Sequence, residues 1–251
     1  MEISLAAEPI FHLGNVEITN SFISMMGTTV VLACGALALK ARKLATVPRG
    51  FQNLVEVTIE GLYNLIKNVT HDDKRARKFL PLVATLFLVI LVSNYLGLLP
   101  IVGPIGIHET IEGKEILVPL FRSANSDLNT TLALAVVSVI ATHIFGATAL
   151  GFWKHLGKFV NFKLLFKNPI MFFVGILEVF GEISKIVSFS FRLFGNIFAG
   201  EVLLVVMGTI VAFVAPVPFY FLELFVGFIQ ALVFAMLTLV FLTMATEEPQ
   251  H

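Results

Sequence analysis

The sequence predicts an all-α polytopic membrane protein with about three ordinary spans, an amphipathic interfacial helix and a C-terminal hairpin of long tilted membrane helices. Three observations carry this prediction. Hydrophobic residues fill 57% of the 251 positions and charged residues 14%, with 25 Phe and a mean hydropathy of +0.91, whereas a soluble domain carries about 25% charged residues. Apolar stretches of spanning length, about 20 residues, occur at 21–40, 79–100, 128–152 and 220–244. A further apolar tract, 169–214, runs for 46 residues with no proline after its first position and no polar loop. No soluble stretch separates these segments, so 1–251 reads as a single membrane domain.

The same composition excludes several function classes. Seventeen basic residues balance 17 acidic ones, so there is no electrostatic footprint for nucleic acid. Cys34 is the single cysteine, which rules out an internal disulfide and a cysteine-based metal cluster. Residues 1–20 lack the basic start and apolar core of a signal peptide. No GxxxxGK[ST] phosphate loop is present, so no cofactor and no nucleotide chemistry is expected on this chain.

Charge placement orients the spans. Lys40, Arg42, Lys43 and Arg49 follow the first span, Lys74, Arg75, Arg77 and Lys78 precede the second, and Lys154, Lys158, Lys163 and Lys167 follow the third. By the positive-inside rule these clusters face the cytoplasm. The 101–127 loop carries Lys114 and Arg122 against Glu109, Glu112, Glu115 and Asp127 and is expected outside, as is the N-terminus. The acidic tail EEPQH then ends in the cytoplasm. Within 49–70, Phe51, Leu54, Val55, Ile59, Leu62, Leu65 and Ile66 share one helical face, opposite Gln52, Asn53, Glu56, Glu60, Asn64 and Lys67. This pattern fits a helix lying in the membrane interface or one packed on a protein partner.

Asn168-Pro169 is a helix-start signal and Pro216 and Pro218 end the long tract. A continuous helix of this length spans about 69 Å against a hydrocarbon core of about 30 Å. A strongly tilted helix is favoured over a two-span hairpin because turn residues are missing up to Gly195-Asn196. At about 100° per residue, Glu178, Lys185, Ser188, Arg192 and Asn196 form one narrow stripe, continued by Gly195 and Ala199, while Glu201 falls about 180° away. On the return helix Glu223, Gly227 and Gln230 share a face.

Depth divides these polar groups into two sets with Arg192 between them. Glu201, Glu223, Asn196, Gln230, Asn94 and Asp127 form the outer set; Glu178, His143 and Ser188 form the inner set. An intramembrane ionisable residue is expensive and marks an ion pathway by default. Each also has a packing role open to it: a shared proton between Glu201 and Glu223, helix-end solvation for Glu178, interhelical hydrogen bonds for His143, Gln230 and Asn196. No second His stands at metal-ligand spacing from His143, so no metal site is expected.

RLFGN followed by AGE within Arg192–Glu201, preceded by EISKIVSFSF and followed by QALVFAMLTLVFL, resembles subunit a of the F-type rotary ATP synthase. SNYLGLLP at 93–100 and SANSDLNTTLALA at 123–135 extend the resemblance over nearly the whole chain. The resemblance implies a stator that abuts a ring of c subunits, with b-type peripheral-stalk subunits and nucleotide-binding subunits as further partners, in a bacterial inner membrane. It implies that Arg192 is the essential charge, and that Glu201, Asn196, Gln230 and Glu178 match positions tied to the ion path. Some relatives carry histidine where this chain has Glu223. A ring carboxylate near Arg192 is held ionised by the opposite charge. The resemblance further implies that an ion entering by an outer half-channel neutralises this carboxylate so that it can turn into lipid, and that an inner half-channel takes up the ion after rotation. A secondary transporter or a stand-alone channel is the competing class. A transporter is expected to show inverted repeats with broken helices and to work alone, whereas a stator co-purifies with its ring.

Overall fold

The computed structural model describes residues 8–13, 16–41, 45–99, 106–111, 114–119, 121–152, 169–211 and 216–247. Arg42, Lys43, the basic stretch 154–167, residues 212–215 and the last four residues lie outside the described residues. The elements in order are hairpin β1 (Pro9–Leu13) and β2 (Val16–Thr19), α1 (Asn20–Ala41), α2 (Phe51–Thr70) and α3 (Asp73–Gly97). They continue with hairpin β3 (Gly106–Ile111) and β4 (Lys114–Pro119), a single 3-10 turn at Ala124–Ser126, α4 (Leu128–Leu150), α5 (Pro169–Ile210) and α6 (Pro216–Thr246). Among the described residues, five helices are long and apolar enough to cross a membrane: α1, α3, α4, α5 from Gly175 onward, and α6.

The tract expected as one long helix is one helix: α5 continues unbroken through Phe189–Asn196, where a hairpin would have had to turn. No proline falls there, and the helix passes through Gly195-Asn196 without a break. Helix α3 starts at Asp73, six residues before the apolar stretch that marked it, because Asp72 caps it by accepting from Lys74 N–H at 2.8 Å. His71 in the left-handed region closes α2 just before, and its backbone N–H donates to Lys67 O. The two antiparallel hairpins, β1–β2 and β3–β4, lie in segments the sequence reading left as terminus and loop.

Helix α6 packs on α3, α4 and α5, α4 packs on α5, and α1 and α2 pack on α3. The buried core includes Phe79, Val83, Phe87 and Ile90 of α3, Leu134 and Ala135 of α4, Phe189, Leu193 and Ile197 of α5, and Phe234, Leu239 and Leu242 of α6. Residues 189, 193 and 197 recur at four-residue spacing and so form one face of α5. Phe189 packs between Phe234 and Phe241 with ring centroids 5.0 and 5.6 Å apart. Ser138 Oγ and Thr238 Oγ1 hydrogen-bond at 2.8 Å, tying α4 to α6. On α2, Leu62 and Ile66 are buried against the bundle while Phe51, Leu54 and Val57 stay uncovered.

Candidate functional site

The inward face of α5 leaves the opposite face bare. Glu178, Ser188, Arg192, Gly195, Asn196 and Ala199 are all exposed, with Lys185 half-buried at the edge. This is the polar and small-residue stripe of the sequence, and no other described part of the chain covers it. The Arg192 guanidinium reaches one turn back along it to Ser188 Oγ at 3.4 Å. At its base, Arg192 shares a small pocket with Gln230 of α6, walled by Phe189, Leu193, Phe234 and Leu237. Arg192 and Gln230 therefore stand at the same level of the α5–α6 hairpin.

Above that level, towards the α5–α6 turn, the polar groups converge from four elements. Glu223 is buried at 5% exposure and its carboxylate lies directly against the backbone of Gly200, where any Cβ would overlap it. Close approach of the carboxylate to α5 thus depends on a missing side chain. Glu201, the next residue, points elsewhere: its carboxylate lies 3.4 Å from Nε of Arg122. Arg122 is nearly buried, stacks on Phe198 at 5.9 Å, and its backbone N–H donates to Ser24 Oγ of α1 at 3.3 Å.

Asn94 and Asp127 sit at the same end but have structural work there. Asn94 donates to Gly227 O at 2.9 Å and accepts from Asn125 Nδ2 at 2.7 Å, joining α3, the 3-10 turn and α6. Asp127 caps α4, accepting from Asn129 N–H at 3.0 Å. Close packing holds this end together: a Cβ on Gly97 would collide with Ser123.

Below Arg192, towards Pro169, a second polar cluster joins α4 and α5. His143 Nε2 lies 3.5 Å from Glu182 Oε2, and Lys185 Nζ lies 2.6 Å from Glu182 Oε1. Lys185 also sits over the Phe241 ring at 4.4 Å, bringing α6 to the same place. Glu178, expected in this inner set, lies one turn further along α5 on its exposed face.

Two participants escaped the sequence reading. Glu182 falls about 80° round the helix from Arg192, off the narrow stripe, and its partner His143 is on another helix. Its spacing to Lys185, three residues, was the available local signal. Arg122 was counted among the charges of an outer loop, although it stands between the apolar VPLF and the polar SANSD, and only the fold brings it to Glu201.

Among the described residues, no group of three or more His, Cys, Asp or Glu side chains is placed to hold a metal ion. The arrangement among the described residues is two polar clusters on α5, one on either side of the exposed Arg192. Comparison with known proteins points the same way. Residues 22–243 match the family described as ATP synthase A chain. The chain is 36% identical to the ATP synthase subunit a of Campylobacter jejuni subsp. jejuni serotype O:23/36 (strain 81-176), over 94% of this chain and 88% of that one. It is 34% identical to that of Campylobacter curvus (strain 525.92) over 100% and 99% of the two chains. For Trichlorobacter lovleyi the identity is 34% over 88% and 85%. With five helices of spanning character and a family match running from the first of them into the last, the chain is a multi-pass membrane protein that belongs to the ATP synthase A chain family.

Proposed function

We propose that this chain is the ion-translocating stator of an F-type rotary ATP synthase, seated in a bacterial inner membrane with its N-terminus outside and its C-terminus in the cytoplasm. Its partners are a ring of c subunits against α5, b-type peripheral-stalk subunits and the nucleotide-binding subunits that carry the chemistry of ATP. The observation that carries the reading is the exposure of Arg192 on a face of α5 that no other described part of the chain covers. A guanidinium is permanently charged, and a membrane buries such a charge only at a cost of several kcal/mol. An anionic group arriving from a neighbouring ring offsets that cost.

The ring carboxylate opposite Arg192 is held ionised by the opposite charge. Glu201, Glu223, Asn196 and Gln230, with Asn94 and Asp127 as their support, line the outer half-channel that delivers an ion to the ring. Glu178, His143 and Ser188 belong to the inner half-channel that receives it. Arg192 stands between them and repels a proton crossing directly. Each elementary charge descending 100 mV releases about 2.3 kcal/mol, which turns the ring.

The test is Arg192→Ala in the whole complex. ATP-driven acidification of membrane vesicles is expected to vanish while the ring and the nucleotide-binding subunits still co-purify with the chain. Arg192→Lys is expected to fail as well, because an ammonium lacks the planar fork and can lose its proton when buried. Wild-type pumping by Arg192→Ala would overturn the stator assignment.

A further inference from the structure

We infer that Glu182 is a positioning residue of the inner half-channel, which holds the His143 imidazole as a proton relay; the inference rests on the stator reading above. Three observations carry it. The two oxygens of the Glu182 carboxylate are taken separately, Oε2 by His143 Nε2 at 3.5 Å and Oε1 by Lys185 Nζ at 2.6 Å. The contact crosses between helices, since His143 stands on α4 and Glu182 on α5, and all three side chains keep 19–34% of their surface accessible. The cluster lies ten residues from Arg192, about 15 Å along the helix, on the side away from Glu201.

The chemistry follows from the residue types. Imidazole is the side chain whose ordinary titration spans neutral pH. A carboxylate in contact with it stabilises the imidazolium and fixes which ring nitrogen exchanges the proton. Lys185 holds the other oxygen of the same carboxylate, so Glu182 stands as the shared counter-charge of the imidazole and the ammonium. Among the described residues, further charged groups near the cluster include Glu178, one turn along α5, and Lys78 of α3, whose ammonium lies 5.6 Å from the Phe145 ring two residues after His143. The face of α6 contributes Phe241, which is apolar. In synthesis, a proton leaving a ring carboxylate passes through water to the imidazole and from there to the inner aqueous phase. In hydrolysis it runs the other way.

The experiment measures ATP-driven proton pumping by the whole complex in vesicles as a function of pH on the side facing the nucleotide-binding subunits. Glu182→Gln is expected to lower pumping several-fold and to move the midpoint of the profile down by about one pH unit, because the imidazolium loses its anionic partner. Glu182→Asp is expected to restore part of the shift. In a His143→Gln background, Glu182→Gln is expected to add no further shift. A purely structural role would reduce the amount of assembled complex and leave the profile where it was. An unchanged midpoint in Glu182→Gln, or in Glu182→Asp if the first variant does not assemble, overturns the inference. Arg192→Ala measured in parallel separates the two readings: if it does not pump while Glu182→Gln behaves as wild type, only the role of Glu182 fails.

Discussion

The carboxylate of Glu201 lies 3.4 Å from the Nε of Arg122, a residue 79 positions earlier in the chain. The pair joins α5 to the segment that leads into α4, and through the Arg122 backbone to Ser24 of α1. Arg122 keeps 6% of its side chain accessible and Glu201 29%. Glu201 is therefore a charge already paired within the chain itself.

Removing one member of this pair leaves the other desolvated. Arg122→Leu is expected to destabilise the chain by at most about 3 kcal/mol, the lower end for a fully buried pair because Glu201 is partly accessible. The double variant Arg122→Leu/Glu201→Leu is expected to recover much of that loss. Thermal melting of the detergent-solubilised complex measures both, and additive effects of the two substitutions would show that the pair is not coupled.

Gly200 makes room for Glu223. Gly200→Ala places a methyl group where the carboxylate now lies. The end of a glutamate side chain can swing aside, so the expected stability cost is about 1 kcal/mol, the low end for overpacking. Pumping is expected to fall several-fold, because the displaced carboxylate loses its place beside α5. Unaltered pumping with full assembly would show that the position of Glu223 is not critical.

Asn94 supports three elements at once through Gly227 and Asn125. Asn94→Ala leaves the Gly227 carbonyl and the Asn125 amide buried without this partner. The expected loss is about 1–3 kcal/mol, read as a lower melting temperature and weaker assembly. A variant as stable as wild type would argue that water replaces the side chain and that Asn94 serves the ion path instead.

The membrane placement of the α5–α6 hairpin is open to chemical labelling. Cys34 is exposed and must first be replaced by serine. A reporter cysteine at Pro216 or Pro218 is then expected to react with an impermeant thiol reagent from outside the cell. Cysteines at 201 and 223 are expected to react with aqueous silver from the same side. Labelling of Pro216 and Pro218 variants from the cytoplasm alone would refute the tilted arrangement of α5.

The positions of the helices were legible in the sequence because a membrane span is a local property. Length, apolarity and end signals decide it, and 21–40, 128–152 and 220–244 differ from α1, α4 and α6 by a few terminal residues at most. The unbroken α5 was legible for the same reason: a backbone with no breaker has no cause to turn. So was the exposed stripe, since helical periodicity places Ser188, Arg192, Asn196 and Ala199 on one side whatever they face. What the tertiary structure alone decided was the pairing across helices. The contact of Glu182 with His143 was invisible because the two stand 39 positions apart on different helices, and that of Arg122 because its partner Glu201 lies on α5. Periodicity ranks the residues of one helix by direction, but it carries no information about which neighbouring helix, at which height, supplies the opposite charge. That height is set by side-chain packing, by Phe189 between Phe234 and Phe241 and by the carboxylate of Glu223 against the bare backbone of Gly200.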